Sequence, residues 1–111
     1  MKPLYSSIGS MNERITLEAE IRTPDLSGGY SVIWQPVTTL WALATPLSAR
    51  EKWDAGQVTA SAAYRFTVRQ QEDIDTTQRL NWKGKIFNIR SVTPRPDRQF
   101  IDITAEEGTA I

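Results

Sequence analysis

The stretch Arg14-Ile15-Thr16-Leu17-Glu18-Ala19-Glu20-Ile21-Arg22 alternates without a break, apolar at every odd position and polar at every even one. Successive side chains of a strand point to opposite faces, so Ile15, Leu17, Ala19 and Ile21 are predicted to line the buried face of a half-exposed strand. Upstream, residues 1–12 hold Pro3, the Ser6-Ser7 pair, Gly9 and Ser10 and show no periodic apolar face, which reads as a flexible N-terminal arm. Downstream, Thr23 to Gly29 carries Pro24, Asp25, Ser27, Gly28 and Gly29, a loop with wide backbone freedom at its two glycines.

The same alternation returns in short pieces. Tyr30 to Trp34 is strand-like, and Pro36, which cannot donate to a ladder, is expected to break or edge the sheet. Val37 to Thr45 forms the next piece and stops at Pro46. In Ala63 to Arg69, Tyr64, Phe66 and Val68 face one way and Arg65, Thr67 and Arg69 the other. Leu80 to Trp82 and Lys85 to Val92 are joined at Lys83-Gly84, where glycine supplies the positive φ of a two-residue hairpin. The apolar parity shifts once between Ile89 and Val92, which places a bulge after Ile89. Phe100 to Ala105 is the last strand, followed by a tail expected to fray over residues 107–111.

One segment reads differently. Ser48 stands three residues before Glu51, a capping box, and Arg50 and Asp54 are spaced to pair along a helix whose other face carries Ala49 and Trp53. A short helix is predicted from Ala49 to about Val58, ending where Gly56, Val58 and Thr59 weaken it. The sum is a mostly β domain over residues 13–106, a six- to seven-stranded antiparallel barrel or sandwich with one helix inserted near the middle.

Composition narrows function. The 111 residues suit one domain, able to bury roughly 65% of the surface its unfolded chain exposes. With no Cys, disulfides and thiolate metal sites are excluded; with no His, the commonest general base and zinc ligand are gone. Thirteen basic residues balance thirteen acidic ones, which argues against a dedicated nucleic-acid binder. No apolar run approaches the ~20 residues that span a bilayer, and the N-terminus has no signal-peptide core, so a protein made and assembled in the cytoplasm is expected. Asp73-Ile74-Asp75 has the spacing of two calcium ligands, but the glycine and later glutamate of a calcium loop are missing. No phosphate-cradling glycine pattern and no nucleophile elbow occur, so no catalytic, cofactor or metal residues are assigned.

Two surfaces remain as candidates. Arg79, Lys83, Lys85, Arg90, Arg95 and Arg98 face a single acid, Asp97, in their stretch, with Trp82 and Phe87 among them. Interleaved cations and aromatics suit a base-stacking strand surface; the competing reading makes the aromatics core and the cations the wet side of a hairpin, and a third has this face meet an acidic protein surface or border passing DNA. Of four tryptophans, Trp34, Trp41, Trp53 and Trp82, burial is the ordinary fate; Trp53 on the predicted helix is the candidate exception, its helix either lying on the barrel or reaching a neighbouring subunit.

The order of these pieces resembles the phage head-tail adaptor, or head closure, family. Four segments carry the likeness: Arg14-Ile15-Thr16-Leu17; Ser27-Gly28-Gly29-Tyr30 with Trp34; Leu40-Trp41-Ala42-Leu43-Ala44-Thr45-Pro46-Leu47-Ser48-Ala49-Arg50-Glu51; and Arg79-Leu80-Asn81-Trp82-Lys83-Gly84-Lys85-Ile86-Phe87-Asn88-Ile89-Arg90-Ser91-Val92. Glu13 stands where the family often has a basic residue or His, and the N-terminal arm is long for it. The resemblance implies a non-enzymatic virion subunit of the neck: a ring of copies below the portal or adaptor, docking tail terminator or tail tube proteins and retaining packaged DNA. A tail-completion ring and a small single-strand nucleic-acid-binding barrel are the alternatives. Pro24, Asp25, Leu26, Ser27, Gly28, Gly29, Tyr30 and Trp53 are the expected subunit contacts, and residues 1–12 and the Thr23 to Tyr30 loop are expected to order only on assembly.

Overall fold

A computed structural model describes residues 11–48 and 62–108. The expected helix from Ala49 to Val58, with Trp53, the first ten residues and residues 109–111 lie outside the described residues. Six strands follow in order: β1 (Glu13–Pro24), β2 (Tyr30–Pro46), β3 (Ala63–Arg69), β4 (Arg79–Trp82), β5 (Lys85–Pro94) and β6 (Phe100–Glu107). All pairings are antiparallel, and the order β1-β2-β3-β6-β5-β4 closes on itself because β1 also pairs with β4 at Thr16, Leu17 and Glu18.

The core is the sum of the period-2 faces. Ile15 and Leu17 of β1, Phe66 and Val68 of β3, Leu80 and Trp82 of β4, Phe87 and Ile89 of β5 and Ile101, Ile103 and Ala105 of β6 pack as one cluster. At its centre Tyr64, Phe66, Trp82 and Phe87 meet, four of their six ring pairs edge-on. The centroids of Phe66 and Trp82 lie 5.3 Å apart, and those of Tyr64 and Phe87 5.7 Å apart, a geometry that sets positive ring edges on negative faces. Ile74, from the loop after β3, adds to the cluster from the barrel end.

Both local turn predictions hold. Lys83 and Gly84 take φ of 54° and 77°, the paired positive values of a two-residue hairpin whose twist matches its strands. The β5–β6 register slips between Ile89 and Ser91, leaving Arg90 as the extra residue and returning Val92 to the core side opposite Ile103.

Three expectations change. Pro36 does not end a strand: β2 runs through it, and the register slips there, with Leu17 opposite Thr38 and Glu18 opposite Pro36, so that Val37 is extra. A bulge tolerates the missing N–H that an unbroken ladder would not. Second, the face that begins at Ile15 is not buried throughout. β1 leaves β4 after Glu18, Ala19 is only half-buried, and Ile21 is 37% exposed. From Ala19 to Pro24, β1 pairs only with Tyr30 to Gln35 of β2, so the two strands leave the barrel as a bare ribbon of about 20 Å at roughly 3.4 Å per residue. Third, the loop closing this ribbon is already organised. The Asp25 carboxylate accepts hydrogen bonds from the N–H groups of Ser27 (2.8 Å) and Gly29 (2.9 Å), and Asp25 N–H donates to the Gly29 carbonyl. With Gly28 at φ 84°, the tip forms a tied turn.

Candidate assembly interface

The arm, residues 19–35, carries an unusual surface. Ile21, Leu26, Tyr30, Val32 and Ile33 are all exposed, Leu26 completely, and Val37 and Trp41 extend the apolar strip toward the barrel. Cross-strand pairing explains how they gather. Ile21 stands opposite Ile33 on one face; Arg22 opposite Val32 and Pro24 opposite Tyr30 share the other. Among the described residues no third strand or second layer covers either face of the ribbon, so alternation that would bury one side of a barrel strand here leaves both exposed.

The arm is fixed to the barrel at its root. Arg79 of β4 lies opposite Glu18 of β1, and its Nε donates to the Glu18 carboxylate at 2.7 Å; both side chains are nearly buried. The guanidinium also sits 4.3 Å from the centre of the Trp34 ring, on the arm's second strand. One cation thus holds a carboxylate by charge-assisted hydrogen bonding and an indole by its π face.

The remaining predicted cations are distributed rather than pooled. Lys83 approaches Glu13 at 3.9 Å and stacks on Trp82; Lys85 approaches Glu107 at 4.0 Å; Arg90, turned by its bulge, reaches buried Glu106 at 3.5 Å. Arg95 donates twice to Asp102, which also accepts the Thr67 hydroxyl at 2.7 Å. Arg98 is exposed at φ 59°. Five of the six basic residues therefore face a carboxylate, most of them from strands far away in sequence, while Trp82 and Phe87 are core. Trp41 departs from the ordinary fate of tryptophan: it is 52% exposed, with Arg14 over its ring at 4.6 Å.

The acidic loop has a structural account. Ile74 points into the barrel, and the Asp75 carboxylate accepts the N–H and the hydroxyl of Thr77. The Thr77 hydroxyl, then its backbone N–H, hold the Asp75 carboxyl below the usual carboxylate range. Among the described residues no group of three or more acidic side chains is placed to hold a metal ion, and no helix is long and apolar enough to cross a membrane.

A second apolar feature lies where β2 and β3 part. Their ladder runs only from Leu43–Thr67 to Pro46–Tyr64, and beyond it an open groove of about 580 Å³ is lined by Met11, Leu40 and Trp41, with Thr39, Arg69 and Gln71 at its sides. Sequence reasoning missed this groove, since it depends on where two strands separate.

A closed barrel with internally paired charges, a projecting apolar ribbon and an apolar groove defines a small assembly module. The chain belongs to the phage head completion protein family, whose model matches residues 6–108, and it is a structural protein of the bacteriophage virion. Its structure is similar to that of protein SF1141 from Shigella flexneri 2a, determined in solution, at 27% identity and a TM-score of 0.77, over 95% of this chain and 99% of that one. It is also similar to a chain of the virion of a native gene transfer agent particle, at 28% identity and a TM-score of 0.64, over 89% of this chain and 96% of that one. No curated protein matches the sequence.

Proposed function

We propose that the protein is a non-catalytic neck subunit: copies form a ring beneath the portal or adaptor, dock the tail terminator or tail tube on the other side, and help retain packaged DNA. The observation that carries this reading is the family match over nearly the whole chain, residues 6–108. The virion particle whose chain resembles this one supports the same setting. The physics agrees. Closing the barrel pairs most strand edges that would otherwise join at random, and leaves exposed apolar surface on the arm and at the β2–β3 groove. The Pro24 to Tyr30 tip and the strip behind it are the contact surface.

The charge pairing also weighs against the nucleic-acid-binding reading. Cations already neutralised by Glu13, Glu18, Asp102, Glu106 and Glu107 have few counterions to exchange with phosphates. The test is complementation in vitro. Purified protein is added to DNA-filled particles that lack it, then tails are added, and joined virions are counted by electron microscopy and infectivity. Restored joining supports the reading. Deleting Pro24 to Gly29 should leave a folded barrel that no longer restores it. A protein that neither enters particles nor restores joining, or a deletion variant that works fully, refutes it.

A further inference from the structure

Resting on the ring reading above, we propose that the arm tip of one copy seats in the β2–β3 groove of the next copy, with Leu26 as the knob and Asp25 facing Arg69. The two surfaces match in character. Leu26 is fully exposed, and Tyr30 and Pro24 pair at the end of the ribbon beside it, while Met11, Leu40 and Trp41 offer an apolar recess with room for more than one side chain. They match in charge as well. Asp25 is the single charged residue between Thr23 and Ser31, and Arg69 is the single charged residue lining the groove. Arg69 has no ion-pair partner among the described residues, and Asp25 spends one carboxylate oxygen on its turn and leaves the other free of hydrogen bonds.

Reach decides that the occupant is another copy. Tyr30 and Leu40 belong to one continuous strand, so tip and groove are held about 34 Å apart at roughly 3.4 Å per residue. β1 pairs with β2 along that whole length, and the only irregularity is the bulge at Val37. The tip cannot fold back onto its own groove. Unlike surfaces at a fixed separation on one chain make a head-to-tail contact, which repeats around an axis and closes a ring where the rotation between neighbours divides a full turn. The ribbon then acts as the spacer between neighbouring barrels.

The absence of cysteine makes the test clean. The double variant Leu26→Cys/Gln71→Cys, both positions being exposed, is assembled into particles and treated with a short bis-maleimide; Leu26→Cys/Lys85→Cys serves as the control pair. A ladder of covalent multimers from the first pair and not from the second is the expected result. Particles that contain the protein and join tails, but give no ladder, overturn this contact and leave the ring reading standing; failure to enter particles at all removes the ring reading instead. A link from position 71 to a different virion protein, or to a cysteine placed at Ser7 of the same chain, also overturns it. Leu26→Glu should leave the unfolding midpoint unchanged, since the side chain is fully exposed, yet lower the yield of joined particles at least tenfold. Undiminished joining by a folded Leu26→Glu protein counts against the proposal.

Discussion

Replacing Arg79 by methionine should loosen the root of the arm and cost the protein about 3 kcal/mol. Methionine keeps the length and packing of the stem but removes the charge, so the loss falls on the two contacts of the guanidinium. The first is the Glu18 carboxylate, whose side chain is 11% exposed against 12% for Arg79. Exposed ion pairs contribute ~0–1 kcal/mol, whereas stranding one member of a fully buried pair costs ~3–5 kcal/mol. A carboxylate nine-tenths covered falls toward the upper range, at about 2–2.5 kcal/mol. The second is the Trp34 face at 4.3 Å, worth about 0.5–1 kcal/mol for a half-buried ring. At a urea m-value of about 1.5 kcal/mol/M, the sum moves the midpoint down by about 2 M. Urea titration followed by circular dichroism measures it, with tryptophan fluorescence reporting the environment of Trp34. The double variant Arg79→Met/Glu18→Leu leaves no stranded charge and should recover at least ~1 kcal/mol of the loss. A midpoint shift under about 0.3 M for Arg79→Met, or no recovery in the double variant, would show that solvent screens this pair and that the arm is anchored elsewhere.

Three further outcomes follow from the geometry. Phe66→Ala removes a fully buried ring at the centre of the four-aromatic cluster and should cost ~3–5 kcal/mol, read as a large drop in thermal midpoint with loss of near-ultraviolet circular dichroism. Gly84→Ala meets no steric neighbour but forces a side chain to φ 77°, so its cost of ~1–2 kcal/mol should be conformational, and Gly84→Asn should cost clearly less. Thr77→Val deletes the hydroxyl that donates to Asp75, and the Asp75 carboxyl pKa measured by NMR should rise toward the ordinary range. Because the folded-state value is depressed, Asp75 contributes stability above its unfolded pKa and loses it as pH falls through the folded pKa. The acid side of the stability profile should therefore be shallower in the Thr77→Val protein, and an unchanged profile would mean that the turn does not depend on that charge.

How much of this could be read along the chain depended on the range of the interaction. The Lys83-Gly84 turn and the slip after Ile89 are local, each written in two or three adjacent residues, and both stand where the pattern put them. The arm was only half legible. Alternation from Ile15 to Ile21 specifies which side chains share a face; it does not say whether another strand comes to cover them, and beyond Glu18 none among the described residues does. Pro36 read as a stop because a proline in a ladder loses a bond, but the bulge beside it removes the need for that bond. The basic cluster looked strong because a window along the sequence counts neighbours in the chain. Arg79 finds Glu18 61 residues away, and Lys83 finds Glu13 across the same barrel wall. The groove was invisible for the same reason: Leu40 and Arg69 meet only through the divergence of two strands.

The bulge at Val37 lies just where the sheet passes from cylinder to ribbon. An extra residue on one strand of a pair bends and further twists it, so this site sets the angle at which the ribbon departs. In a closed circle of identical pieces, a few degrees at such a joint decide how many pieces complete the turn. Deleting Val37 would leave the Pro24 to Tyr30 tip and the β2–β3 groove in place and still, in the proposed ring, alter the diameter of the opening.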